Sequence, residues 1–250
     1  MKIKKIVKRF FSNKNDFASL TVVGVGPGDP SLLTIAAVKA IRKAKVIAFP
    51  ISNDDKKSFS AEIVEEYIKF KKRIPIIFPM AREGCNPHQI WNNAADEIVK
   101  YIKKNESVVL LCLGDTSLFA SSSNILRIIN NCHPQIPTKI VPGISSISAA
   151  AALSNFDLAK KDETLIIQEC PSSKLELLNL MNLNKNNRSV LVLMKVGKRW
   201  NWVKDVLEKE EILNKALLAL NVGMNDQFVE NASKFQNDMI PYFSLLLIRF

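Results

Sequence analysis

Residues 22–34 read VVGVGPGDPSLLT, and the fold turns on how that stretch is read. An apolar run at residues 20–23 feeds a turn holding Gly24, Gly26, Pro27, Gly28, Asp29 and Pro30. Leu32, Leu33, Ala36, Ala37, Ala40 and Ile41 then recur at helical spacing. Strand, glycine turn and helix in that order let bare backbone approach a ligand closely. A dinucleotide fingerprint needs glycines at its first, third and sixth positions. Here they stand first, third and fifth, with Pro27 between the second pair and Asp29 in the sixth place. Proline offers no N–H and an aspartate repels phosphate, so the loop suits a ligand without a polyphosphate.

Working outward, the strand–turn–helix pattern returns. Residues 107–113 (SVVLLCL) are apolar throughout, as expected of a strand covered on both faces. They run into Gly114-Asp115-Thr116, and a helix is expected over about 118–130. Further strands are expected at 45–50, 73–80 and 139–141, with Pro75 requiring a strand start or an edge position. Helical spacing marks 61–72, 88–103 and the small-residue segment 144–153 (ISSISAAAAL). In the second half, 164–169, 189–195, 216–222 and 242–248 read as strands, partly antiparallel, with helices at 175–182 and 200–208. Residues 131–138 (NCHPQIPT) are polar with two prolines, the best domain boundary. The expectation is a basic extension at 1–19, an N-terminal α/β domain at 20–137 and a C-terminal α/β domain at 138–250.

Composition narrows the chemistry. In 250 residues, 47% hydrophobic and 24% charged, the chain carries a net charge of +11. That balance favours polyanionic partners: nucleic acid, an anionic membrane or an acidic substrate. Part of the charge is local, with Lys2, Lys4, Lys5, Lys8, Arg9 and Lys14 against Asp16. Ile3, Ile6, Val7, Phe10 and Phe11 form a helical stripe among them, so residues 1–18 offer a membrane-contact reading; a plain extension is favoured. Cys85, Cys112, Cys132 and Cys170 are scattered without a CxxC pair, and His88 and His133 stand apart. This pattern speaks against a metal centre and for a reducing, cytoplasmic setting. No GxSxG elbow is present, and no catalytic residue is assigned. Asp29 and Asp115, one after each glycine turn, read better as caps than as a two-carboxylate site.

Four strand ends carry small or hydroxyl residues: 24–29, 114–115, 142–146 and 194–197. In open α/β sheets, ligands bind beyond such ends, and one cleft between the domains could gather all four.

These residues carry a resemblance. VVGVGPGDPSLLT, the LCLGD turn (111–115), VPGISS (141–146) and LVLMKVG (191–197), in this order, resemble the tetrapyrrole methylases over residues 20–250. VIAFP (46–50), FPM at 78–80 with Trp91 and AADEI (94–98), DLAKKDETL (157–165) and PYFSLLLI (241–248) are similar to the corrin-directed branch of that family. The resemblance implies a homodimeric, S-adenosylmethionine-dependent methyltransferase with two α/β domains and the cofactor between them. By motif match, Pro27 flanks the cofactor, and Leu113, Gly114, Asp115 and Leu118 hold its methionine part. Ser145 and Ser146 contact it, Met194 packs nearby, and the backbone at Asn221 and Val222 reaches the adenine. The implied substrate is a polyanionic tetrapyrrole, with Lys195, Lys198 and Arg199 as candidate carboxylate contacts and no nucleic acid bound. Thr116, Ala120 and the LNVGM run (220–224) depart from the family pattern. Two other readings stand beside this one: a family member acting on another corrin carbon, ribosomal RNA or diphthamide, or a non-catalytic, membrane-associated binding protein on the same scaffold.

Overall fold

A computed structural model describes residues 18–51, 57–78, 86–185 and 187–250. The basic stripe expected within residues 1–18 falls outside them apart from Ala18, as do residues 52–56, 79–85 and 186. The described chain forms two compact units. One takes residues 18–23, Ile35–Cys112 and Phe119–Val141; the other takes Gly24–Thr34, Leu113–Leu118 and Pro142–Phe250.

The first unit holds a five-stranded sheet in the order β3-β2-β4-β1-β5. The strands are β1 (Leu20–Gly24), β2 (Val46–Ile51), β3 (Lys72–Ile77), β4 (Val108–Cys112) and β5 (Thr138–Val141). β1 pairs with β5, and β2 with β3 and β4, all in parallel. Parallel neighbours need crossovers, which α1 (Ile35–Lys43), α2 (Phe59–Ile63), α3 (Glu65–Ile68), α4 (Pro87–Lys103) and α5 (Ser122–Cys132) supply. Alternate residues Leu20, Val22, Val46, Ala48, Ile74, Ile76, Val108 and Leu110 pack against Ala94, Ile98 and Ile102 of α4 and Ile125 and Ile129 of α5. Val23, Ile47, Val109 and Leu111, the intervening residues, are buried too, which is why β4 shows no polar alternation. Pro75 sits in β3 on the sheet edge, where its missing N–H leaves no central ladder broken.

The second unit holds the sheet β6-β7-β10-β8-β9, built from β6 (Thr164–Glu169), β7 (Ser189–Met194), β8 (Ala216–Leu220), β9 (Phe228–Asn231) and β10 (Ser244–Arg249). β6 and β7 are parallel, and the remaining pairs are antiparallel. One face carries Leu191, Leu193, Leu218, Leu220, Leu246 and Ile248 against Leu177 and Met181 of α7 (Lys174–Lys185) and Trp200, Val203 and Leu207 of α8 (Trp200–Lys209). The buried Trp200 indole donates to the Asn237 carbonyl at 2.9 Å, satisfying its polar edge. The other face carries Val190, Val192, Ala219, Leu245 and Leu247 against Ile147, Ala149, Ala150 and Ala151 of α6 (Ser146–Leu153). The alanine run lets this helix lie close on the sheet.

Several expectations shift. The strand at 138–141, expected to open the second domain, is hydrogen-bonded to β1 in the first sheet, and the chain changes unit between Val141 and Pro142. The two glycine turns, expected in the N-terminal domain, belong to the second unit. Leu32 closes a short 3-10 turn at Pro30–Leu32, and α1 begins only at Ile35. The helix expected over 61–72 breaks at Val64 and ends before Lys72 opens β3. The helix after Asp115 starts four residues later than expected, at Ser122. β9 was not foreseen: FVEN is short, polar and only half-buried.

Candidate functional site

All thirteen candidate binding residues fall in the second unit, since the turns at Gly24–Thr34 and Leu113–Leu118 belong to it. Gly26 and Gly114 bond reciprocally, N–H to carbonyl, at 3.2 and 2.8 Å. Gly24 and Gly143 meet backbone to backbone: a Cβ on Gly143 would lie 2.2 Å from the Gly114 carbonyl oxygen and 2.7 Å from the Gly24 carbonyl carbon. Gly114 differs. Its φ is +72° and a Cβ there would meet nothing within 4 Å, so the chain keeps space free at that point.

Asp115 fastens this cluster. One carboxylate oxygen accepts from the Ser117 backbone N–H at 2.8 Å and from the Ser117 hydroxyl; the other accepts from the Gly143 N–H at 3.1 Å. Burial pushes its carboxyl up, and the bonds from Ser117 and Gly143 outweigh that and hold it below the ordinary range. Asp29 caps the Pro30–Leu32 turn by accepting from Ser31 N–H at 2.7 Å, and that bond lowers its carboxyl. Asp29 thus caps its turn as the capping reading expects, whereas Asp115 caps no helix, since α5 is entered through Ser121, and instead bonds Ser117 and the distant Gly143.

Beside this cluster lies a cavity of about 550 Å³ lined by Leu32, Asp115, Leu118, Gly143, Ile144, Ser145, Ser148, Ala149 and Ala152. Asp115, Leu118 and Ser145 of the candidate residues line it. Met194 and Val222 belong to the apolar cluster that Leu32, Leu118 and Ile144 join. Pro27, Leu113, Gly114, Ser146 and Asn221 are not among its lining residues. Ser145 caps α6: its hydroxyl accepts from the Ser148 N–H at 3.2 Å and lies 3.1 Å from the Ser148 hydroxyl. Asn221 holds a left-handed turn, φ +46°, with its N–H on the Phe243 carbonyl at 2.8 Å and its amide on Asp226 at 2.7 Å. Gly223 of that turn lies against Gly28, whose Cβ would fall 2.6 Å from the Gly223 carbonyl carbon. Lys195 and Arg199 are half-buried and Lys198 is exposed, all just past the end of β7.

Leu32, Ser148, Ala149 and Ala152 were missed by sequence reasoning, while Gly143 and Ile144 lay within the strand end at 142–146 without being named as contacts. A signal existed: 145, 148, 149 and 152 are one helical face, with hydroxyls nearest the N-terminus. The walls are chiefly apolar, and among the described residues the polar side chains are one carboxylate and two hydroxyls, with no lysine or arginine lining the space. One carboxylate and two hydroxyls among apolar walls fit a ligand with a positive charge and apolar surface better than a phosphate ester.

Comparisons with known proteins agree with this frame. The model of the family "Tetrapyrrole (Corrin/Porphyrin) Methylases" matches residues 19–234. A "Probable cobalt-precorrin-2 C(20)-methyltransferase" of Methanocaldococcus jannaschii is 34% identical over 58% of this chain, a match spanning 61% of that relative. The cobalt-precorrin-2 C(20)-methyltransferase of Salmonella typhimurium is 26% identical over 92% of this chain and 95% of its own length. A solved cobalt precorrin-4 methyltransferase of cobalamin biosynthesis superposes with a TM-score of 0.71 at 17% identity, covering 95% of this chain and 97% of that one, which shows the shared fold. From its glycine turns through the alternating strands and helices that carry them, this chain belongs to the tetrapyrrole (corrin/porphyrin) methylases.

Proposed function

We propose that the protein is an S-adenosylmethionine-dependent C-methyltransferase of cobalamin biosynthesis that methylates C-20 of precorrin-2 or its cobalt complex. The observation that carries the reading is the cavity at Asp115, chiefly apolar, lined by no lysine or arginine among the described residues and edged by Asp115, Ser145 and Ser148. The names borne by full-length relatives support the choice of substrate.

S-adenosylmethionine supplies an electrophilic methyl group when bound. The chain's task is then to hold, orient and exclude water. Leu113, Gly114, Asp115 and Leu118 hold the methionine part, with the Asp115 carboxylate, ionised through its hydrogen bonds, suited to an ammonium group. Ser145 and Ser146 contact the ligand from the start of α6, Pro27 flanks it, Met194 packs nearby, and the backbone at Asn221 and Val222 reaches the adenine. Lys195, Lys198 and Arg199 meet carboxylates of the macrocycle, a role the net charge of +11 favours for a polyanionic substrate. The enzyme works as a homodimer in the cytoplasm, without nucleic acid.

Calorimetry with S-adenosylhomocysteine, followed by incubation with S-adenosylmethionine and precorrin-2, tests the reading. Binding plus a gain of one methylene on the macrocycle is expected. Binding without transfer would move the activity to another tetrapyrrole carbon, and absence of binding would overturn the site. Sedimentation of the purified protein checks the dimer.

A further inference from the structure

The parallel strands β6 and β7 end in register, Glu169 opposite Met194. Cys170 N–H still donates to the Met194 carbonyl at 2.8 Å, and the next residue of β7 turns sharply away. That residue is Lys195, held at φ +58°. An L residue in the left-handed region is strained, and glycine or asparagine would hold the same backbone more easily. The turn is fixed from three sides. Val196 N–H donates to the Ser244 carbonyl at 3.3 Å, Gly197 N–H to the Ser244 hydroxyl at 2.7 Å, and the Arg199 guanidinium to the Lys195 carbonyl at 3.3 Å. Strain kept in place by its surroundings at a strand end points to a functional demand on the side chain.

The demand is for a cation at that spot. Lys195 Nζ lies 3.5 Å from Glu169 Oε2, with the two side chains 30% and 47% exposed, so the pair is loose and open to exchange. Cys170 adds no negative charge there, because burial pushes its thiol up to about 11. Lys195 pairs with Glu169, and Lys198 and Arg199 follow within four residues, so three cations gather at the C-terminal ends of two parallel strands, where ligands of such sheets bind. The residue before Lys195 is Met194, which belongs to the cluster shared with the cavity-lining Leu32, Leu118 and Ile144.

We propose that Lys195 is the specificity-determining cation of the site, seating one peripheral carboxylate of the macrocycle, and that Glu169 is the resident counter-ion which this carboxylate displaces. The inference rests on the tetrapyrrole reading above. Among the three cations beyond β7, it singles out the one whose backbone is strained, and it gives the protein's own carboxylate a part in selection.

The test uses full-length protein with Lys195→Gly, Lys195→Asn and Glu169→Gln, and Lys174→Ala as a control for net charge, since Lys174 pairs with Asp205 on the helical side of the unit. Uroporphyrin, a tetrapyrrole octacarboxylate, serves as the binding probe by fluorescence, and calorimetry with S-adenosylhomocysteine runs beside it. Both Lys195 variants accept the left-handed backbone, so each should melt no lower than wild type. Each should bind uroporphyrin about tenfold more weakly, the scale of a lost charge-assisted hydrogen bond, with S-adenosylhomocysteine affinity unchanged. KM for precorrin-2 should rise in step while kcat changes little. Glu169→Gln should tighten uroporphyrin binding, and Lys174→Ala should match wild type. Uroporphyrin binding unaltered in both Lys195 variants, an equal loss in Lys174→Ala, or no binding by wild type would each overturn the proposal. A wild type that binds uroporphyrin through Lys195 yet leaves precorrin-2 unmethylated would uphold it and overturn the assigned reaction instead.

Discussion

Asp115 accepts three hydrogen bonds that tie one glycine turn to the next. Its carboxyl is held below its ordinary value of 3.8. A depressed carboxylate contributes stability that is present above the unfolded value and lost as pH falls through the folded one. The melting temperature of Asp115→Asn should therefore lie below that of wild type at neutral pH, and the gap should close as pH drops below about 3.8; a gap constant with pH would remove the carboxylate from the account. The glycines divide in the same way. Gly143→Ala would drive a Cβ to 2.2 Å from the Gly114 carbonyl oxygen, so a loss of about 3 kcal/mol or more is expected in denaturant unfolding. Gly114→Ala has room for the methyl group and faces only the left-handed backbone, about 1–2 kcal/mol. The protein should fold and yet lose S-adenosylhomocysteine affinity, because the methyl group occupies the space left open. Retained affinity in a folded Gly114→Ala protein would show that this space is not used.

At the scale of the element, α6 joins the site to the core. Its outer face presents Ser145, Ser148, Ala149 and Ala152 to the cavity, while Ala150, fully buried, packs in the cluster with Val190, Val192, Ala219, Leu245 and Leu247. Ala150→Leu should lift the helix from β7, β8 and β10 at about 1–3 kcal/mol, the usual cost of overpacking. It should also weaken S-adenosylhomocysteine binding, although residue 150 does not line the cavity. Unfolding by urea with calorimetry at the same temperature separates the two effects. Ser145→Ala removes the cap on Ser148 N–H and should cost about 1 kcal/mol, whereas Ser145→Asp keeps an acceptor there and should retain most of that stability. If the two variants unfold alike, the cap is not what the hydroxyl contributes.

For the molecule as a whole, the net charge of +11 acts on a polyanionic substrate far more than on a zwitterionic ligand. Raising salt from about 0.1 to 1 M shortens the Debye length from roughly 10 to 3 Å. KM for the tetrapyrrole should rise severalfold over that range, while S-adenosylhomocysteine affinity should change little. Steady-state kinetics and calorimetry in the same buffers measure both, and an equal salt response would mean that the charge does not select the substrate. Among the described residues, no helix is long and apolar enough to cross a membrane.

The sequence by itself determined the local order: apolar runs that had to be covered strands, helical spacing between them, and glycine turns at strand ends whose spacing argued against a phosphate cradle. It also determined that Pro75 needed an edge, because a missing N–H constrains position wherever the strand is placed. The family was legible for the same reason, since its motifs are short runs of neighbouring residues. What only the tertiary structure decided was partnership across distance. Strand 138–141 joined the first sheet because its edge bonds go to β1, a choice four residues cannot encode. The turns at Gly24–Thr34 and Leu113–Leu118 joined the second unit because backbone packs against Gly143 and Gly223 without intervening side chains. Ser148 and Ala152, both exposed, became cavity wall only when their side of the helix was left uncovered beside Asp115. Local spacing fixes which bonds a segment can make within itself; which surface covers it is settled by contacts far apart in the chain.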